Sequence, residues 1–113
     1  MKQRTLGAFE ETVLLIILRL EDNAYGVTIR RTLEEVTECS SSFGAIYATL
    51  ERLEQKGFIH AEQGEATLER GGRAKRYFKI SATGIQALND TRVAREKVIE
   101  GLDFRWDLNR GKS

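Results

Sequence analysis

Five basic residues, Arg70, Arg73, Lys75, Arg76 and Lys79, fall within the eleven-residue stretch RGGRAKRYFKI, which holds no acidic residue. Guanidinium and ammonium groups spaced this closely suit anions that come in rows, and nucleic-acid phosphates form such a row. Gly71 and Gly72, between the first two arginines, tolerate positive φ and the close approach of another backbone. A basic hairpin with a glycine tip can clamp phosphates or probe a minor groove. A bare basic strand, however, more often only protects a sheet edge from aggregation. DNA contact therefore needs a second constellation beside it.

That constellation lies in SFGAIYATLERLEQKG. With Phe43, Ile46, Leu50 and Leu53 turned inward, a helix here presents Ser42, Ala45, Ala48, Thr49 and Arg52 on its outer arc. Small and hydroxylated side chains near a helix start let the backbone approach a duplex. Arg52 reaches a phosphate, or guanine if the helix enters the major groove. Tyr47 lies one residue off the inward stripe, so its ring packs while its hydroxyl reaches out. Together with the basic hairpin, this arc favours DNA binding over a solvated surface.

Little else suggests chemistry. His60 is the only histidine and reads as an exposed strand residue. Glu10/Glu11 and Glu34/Glu35 are neighbours on helices, so their carboxylates diverge rather than share a proton. RGGR is not a nucleotide-binding loop, because it lies between strands and no helix starts after it. No Cys/His/carboxylate spacing suits a metal. We therefore expect no enzyme, no cofactor and no metal.

At 113 residues with 41% hydrophobic and 31% charged content, the chain reads as one globular domain. Its net charge of +1, from 18 Lys+Arg against 17 Asp+Glu, makes the location of charge matter more than its total. Acidic residues such as Glu34, Glu35, Glu96 and Glu100 offset the basic stretch elsewhere. The longest apolar run, 13–18, is far short of the ~20 residues that span a bilayer. MKQRTLGAFEE offers no signal-peptide cleavage site, and the single Cys39 fits a reducing compartment. A cytoplasmic protein without membrane association is expected.

Helical periodicity covers 9–20, with Phe9, Val13, Ile16, Ile17 and Leu20 inward and Glu10, Glu11 and Arg19 on the other side. It returns at 25–37, after an Asp22 or Asn23 cap, with Val27, Ile29, Leu33 and Val36 apolar, and again at 43–56, closed by Gly57. Residues 58–63 and 74–80 alternate as strands, Phe78 and Ile80 facing one way and Lys75, Tyr77 and Lys79 the other. A final helix runs to about Leu102, where Gly84 permits close packing. The order is that of a mainly α fold with a two-stranded β wing. It predicts a winged helix-turn-helix over 1–80 and a C-terminal dimerisation helix with its tail over 81–113. The last helix outruns a small core, so pairing between two copies is expected to cover its apolar residues, though folding back on the first helix is the alternative.

The segments LGAFEETVLLIILRLEDNAYGVTIRRTLEE, FGAIYATLERLEQKGFI and ERGGRAKRYFKISATGIQAL resemble the PadR family of bacterial transcription regulators, in its short form with a single C-terminal helix. The resemblance runs in register from Leu6 to Leu88 and implies a winged-helix repressor, homodimeric through that helix, acting on double-stranded operator DNA. It also implies relief by a small aromatic or amphiphilic effector. Carried onto this chain, the DNA-facing residues are Ser42, Ala45, Tyr47, Ala48, Thr49 and Arg52, with Arg70, Gly72, Arg73 and Lys75 from the wing. Tyr25 falls at the edge of the helix-turn-helix. Trp106 is a candidate stacking partner for an effector, against the simpler role of anchoring the tail. A winged helix that binds proteins instead of DNA is the competing reading.

Overall fold

This computed structural model describes residues 5–64 and 75–102. Helix α1, Ala8–Leu20, starts at an extended Gly7 whose N–H donates to Glu10 Oε1 at 3.1 Å. Glu10, expected on the outer side, is thereby folded back as a cap and is only 8% exposed. A single 3-10 turn, Glu21–Asn23, leads to α2, Gly26–Thr37. The cap of α2 is not Asp22 or Asn23. Thr28 Oγ1 accepts the Tyr25 N–H at 3.0 Å and donates to the Asn23 carbonyl at 2.6 Å.

Helix α3, Phe43–Gln55, is capped as its preceding serines suggest, with Ser42 Oγ accepting the Ala45 N–H at 3.1 Å. Strands β1, Ile59–Gln63, and β2, Arg76–Ile80, pair antiparallel, Ala61 opposite Phe78 and Ile59 opposite Ile80. Helix α4, Ala82–Glu100, starts at Ser81, whose Oγ accepts the Gly84 N–H at 3.0 Å.

One core gathers Val13, Leu14 and Ile17 of α1, Ile29 and Leu33 of α2, and Ile46, Leu50 and Leu53 of α3. Phe58, Ile59 and Phe78 bring the hairpin into it, which a two-stranded ribbon needs in order to be stable. The outer edge of β2 is engaged as well. The Phe78 N–H donates to the Ala24 carbonyl at 2.8 Å, tying the hairpin to the connector before α2.

Several faces differ from the periodic reading. On α2, Thr28 and Thr32 are buried whereas Val27 and Val36 are exposed. On α3, Phe43 is 38% exposed and Thr49 only 1% exposed. Thr49 tolerates burial because its hydroxyl donates to the Ala45 carbonyl at 3.0 Å, leaving no orphaned polar group. Helix α4 divides along its length. Gly84, Ala87, Leu88 and Thr91 are buried, and a Cβ on Gly84 would collide with the Phe58 carbonyl oxygen, so the close packing expected there is real. The Leu6 N–H donates to Thr91 Oγ1 at 3.0 Å, and Arg95 pairs with Glu11 of α1. Beyond them Val98 is 69% exposed.

Candidate nucleic-acid interface

The arc of α3 opposite Ile46, Leu50 and Leu53 carries Ser42, Ala45, Tyr47, Ala48 and Arg52, all exposed. Thr49 does not join them. Its outward placement is corrected by the burial of its hydroxyl against the preceding turn. Phe43 takes a place on the surface instead. Its ring stacks on Tyr47 with centroids 6.1 Å apart and planes at 23°. The Arg30 guanidinium lies 4.6 Å from the centre of the Phe43 ring. Arg30 is fixed in turn by its Nε donating to the Ser41 carbonyl at 2.9 Å and by Glu34 at 3.8 Å, one helical turn away. At the far end of this row Tyr47 reaches the first turn of α2. A Cβ on Gly26 would meet the Tyr47 hydroxyl, so a larger residue there would have to displace the tip of the Tyr47 side chain.

Arg52 leaves the arc obliquely. Its Nη2 donates to Thr49 Oγ1 at 3.2 Å, and its Nε lies 3.7 Å from Glu10 Oε2. The same carboxylate oxygen holds Lys56 Nζ at 2.9 Å, so the role of Lys56 goes beyond the helix dipole. Burial alone would push the Glu10 carboxyl up. The hydrogen bonds from Lys56 and Gly7 and the charges of Lys56 and Arg52 outweigh it and hold the group below its ordinary value. One acid of α1 thus fixes two cations at the end of α3.

At the base of the wing each strand face meets a different neighbour. Lys75 Nζ lies 4.4 Å above the Tyr25 ring and donates to a Tyr25 hydroxyl 3.3 Å away. Tyr25 in turn meets Tyr77 edge to face at 5.3 Å. Lys79 Nζ donates to Asp22 Oδ1 at 2.6 Å, an exchange that lowers the carboxyl and raises the ammonium from their usual values. On the opposite face Arg76 Nη2 contacts both Glu54 oxygens at 2.9 Å. Between α3 and β2 an open groove is lined by Tyr47, Ala48, Glu51, Glu54 and Arg76, with Phe78 at its floor.

These contacts revise how the basic stretch is read. Lys75, Arg76 and Lys79 each have a partner within the protein, so they aim and brace the wing as much as they charge it. Arg70, Gly72 and Arg73 at the expected tip lie outside the described residues, as does Trp106. Sequence reasoning missed Glu10, Gly26, Arg30 and Phe43. Only Glu10 had a local signal, an acid three residues after a candidate cap. Among the described residues no group of His, Cys, Asp and Glu could hold a metal ion. No described helix is long and apolar enough to cross a membrane.

Residues 13–90 match the Transcriptional regulator PadR-like family. Among solved structures, a PadR-like transcription factor from Bacteroides fragilis is 26% identical, with a TM-score of 0.68 over 81% of this chain and 84% of that one. A PadR-like transcriptional regulator from Bacillus cereus is 24% identical, with a TM-score of 0.67 over 83% of this chain and 86% of that one. A PadR family transcription regulator from Clostridium difficile R20291 is 20% identical, with a TM-score of 0.65 over 82% and 93%. The last two likenesses speak to the fold alone. No curated protein sequence matches at a significant level. The family match extends from the inner face of α1 through α3 and the hairpin into the buried half of α4, so the chain belongs to the PadR-like family of transcriptional regulators.

Proposed function

We propose that the protein is a dimeric, sequence-specific DNA-binding repressor acting in the cytoplasm. In this reading α3 enters the major groove and the wing follows the adjacent phosphates. The observation that carries it is the exposed first half of α3, built of small side chains and Tyr47 and flanked by the hairpin that bears the basic stretch. Ser42, Ala45 and Ala48 permit close approach, and the exposed Tyr47 ring borders them, although its hydroxyl packs toward Gly26 of α2 instead of reaching out as its spacing predicts. Thr49 serves from within by holding Arg52, whose remaining N–H groups are free to reach the duplex. Arg70, Gly72 and Arg73 supply the wing's contact, with Lys75 at its base.

A second copy is the partner proposed for the aliphatic side chains exposed on α1, on α4 and just past its end, among them Leu15, Leu18, Val98 and Leu102. Their burial favours pairing, and a two-fold dimer sets two α3 helices on half-sites about one DNA turn apart. A small aromatic or amphiphilic effector that stacks on Trp106 completes the proposal. Titrating such compounds while following tryptophan fluorescence tests that part.

The decisive experiment selects fragments of the source genome that the protein retains at moderate salt, and then titrates them. A saturable site with two related half-sites is expected. Retention of no preferred fragment would move the reading to a protein-binding winged helix.

A further inference from the structure

We propose that Phe43 is a specificity-determining residue that reads a thymine through its C5-methyl group. The inference rests on the DNA-binding reading above and adds a base and a contact residue to it. Phe43 is the first residue of α3, directly after the Ser42 cap, and the N-terminal residues of a recognition helix are those that meet base edges. The ring is 38% exposed and yet held in place, with Tyr47 stacked on it at 6.1 Å and the Arg30 guanidinium 4.6 Å from its centre. Arg30 is itself anchored to the Ser41 carbonyl and to Glu34, so the brace is preorganised before any duplex arrives.

The chemistry of its neighbours narrows the target. The exposed residues of this first turn and a half are Phe43, Gly44, Ala45, Tyr47 and Ala48. None carries the guanidinium or amide that reads guanine or adenine through paired hydrogen bonds. The apolar feature that a base pair shows in the major groove is the thymine methyl, and it matches an aromatic ring set among small side chains. The cation behind the ring also faces a polyanionic partner without conflict. An aliphatic protein ligand would gain nothing from Arg30.

Operators selected from a random duplex pool supply the probe. Each thymine is replaced in turn by deoxyuridine, which removes the methyl and leaves the pairing edge intact. At one position per half-site the wild-type protein should lose about fourfold in affinity, the worth of burying one methyl-sized apolar group. Phe43→Ala should bind the thymine and deoxyuridine duplexes equally, and Phe43→Leu should recover part of the difference. Lower salt keeps weak variants measurable, because it raises the affinity of all duplexes. The proposal is overturned if the wild type tolerates deoxyuridine at every position, if Phe43→Ala retains the full methyl effect, or if Phe43→Leu behaves as alanine does. In each of those cases selective DNA binding survives and the regulator reading stands. A pool that yields no preferred sequence would sink both.

Discussion

Two surfaces of this protein leave apolar side chains in water, and they are built differently. On α3 the exposed rings are those of Phe43 and Tyr47, with Arg30 lying against the first, while α2 beside it exposes Val27 and Val36. On α1, on α4 and just past its end they are the aliphatic groups of Leu15, Leu18, Ile85, Val98 and Leu102. A ring keeps a favourable electrostatic interaction with a cation while exposed, so it can wait in water for a wet, charged partner. An aliphatic chain has no such compensation and gains only by leaving water. The first surface suits a polyanion and the second another apolar face. Exposed hydrophobicity thus carries information about its partner once its neighbours are known.

The comparison fails most visibly if the aliphatic surface can be charged without consequence. The double variant Leu15→Asp, Val98→Asp should halve the mass measured by sedimentation. Losing one of two linked half-site contacts should weaken operator binding by about 10²- to 10⁴-fold. A variant that stays dimeric would move the pairing to another face, and a monomeric wild type would remove the dimer altogether.

Next in size is the residue that joins the two sides. Glu10→Gln removes the charge that α1 offers to Lys56 and Arg52 and should cost about 2 kcal/mol in urea unfolding at neutral pH. The carboxyl sits below its ordinary value of 4.5 in the folded protein. Its contribution is therefore complete above that value and is lost as pH falls through the lower folded one. The wild type should lose more stability on acidification than the glutamine variant, which keeps only the contribution of other lowered carboxylates such as Asp22. Equal acid sensitivity in both would move the loss to other carboxylates.

The wing offers a finer distinction. Arg73→Ala should reduce the slope of log affinity against log salt by about one unit. Arg76→Ala should reduce it by less, since Arg76 is already matched by Glu54. Equal slopes for the two would mean that Glu54 releases Arg76 when DNA binds. The smallest effect belongs to a position remote from both surfaces. Gly57 has φ +78° just after α3, so Gly57→Ala should cost about 1 kcal/mol of stability through backbone strain alone, with operator affinity per folded molecule unchanged.

Local pattern made much of the fold legible. The helices, the hairpin and the serine cap of α3 follow from period and capping chemistry, which act over three or four residues. Faces were less legible wherever a polar group found a partner or an apolar one found a cation. Thr49 went inside because the Ala45 carbonyl accepted its hydroxyl. Glu10 went inside because Gly7, 3 residues before it, and Lys56, 46 residues away, satisfied its two oxygens. Phe43 stayed outside because Arg30 and Tyr47 covered it in part.

By itself the sequence determined which segments are helix or strand, that the positive charge collects on one hairpin, and that this hairpin follows a helix with small outward residues. Those properties are local, set by side-chain period and by the chain's own order. The tertiary structure alone decided which cations are already engaged, since Lys75, Arg76 and Lys79 find their partners in Tyr25, Glu54 and Asp22, residues 22 to 57 positions away. It also decided that Phe43 rather than Thr49 faces outward. Pairings between remote segments depend on how the elements pack together, and no periodicity within either segment records them.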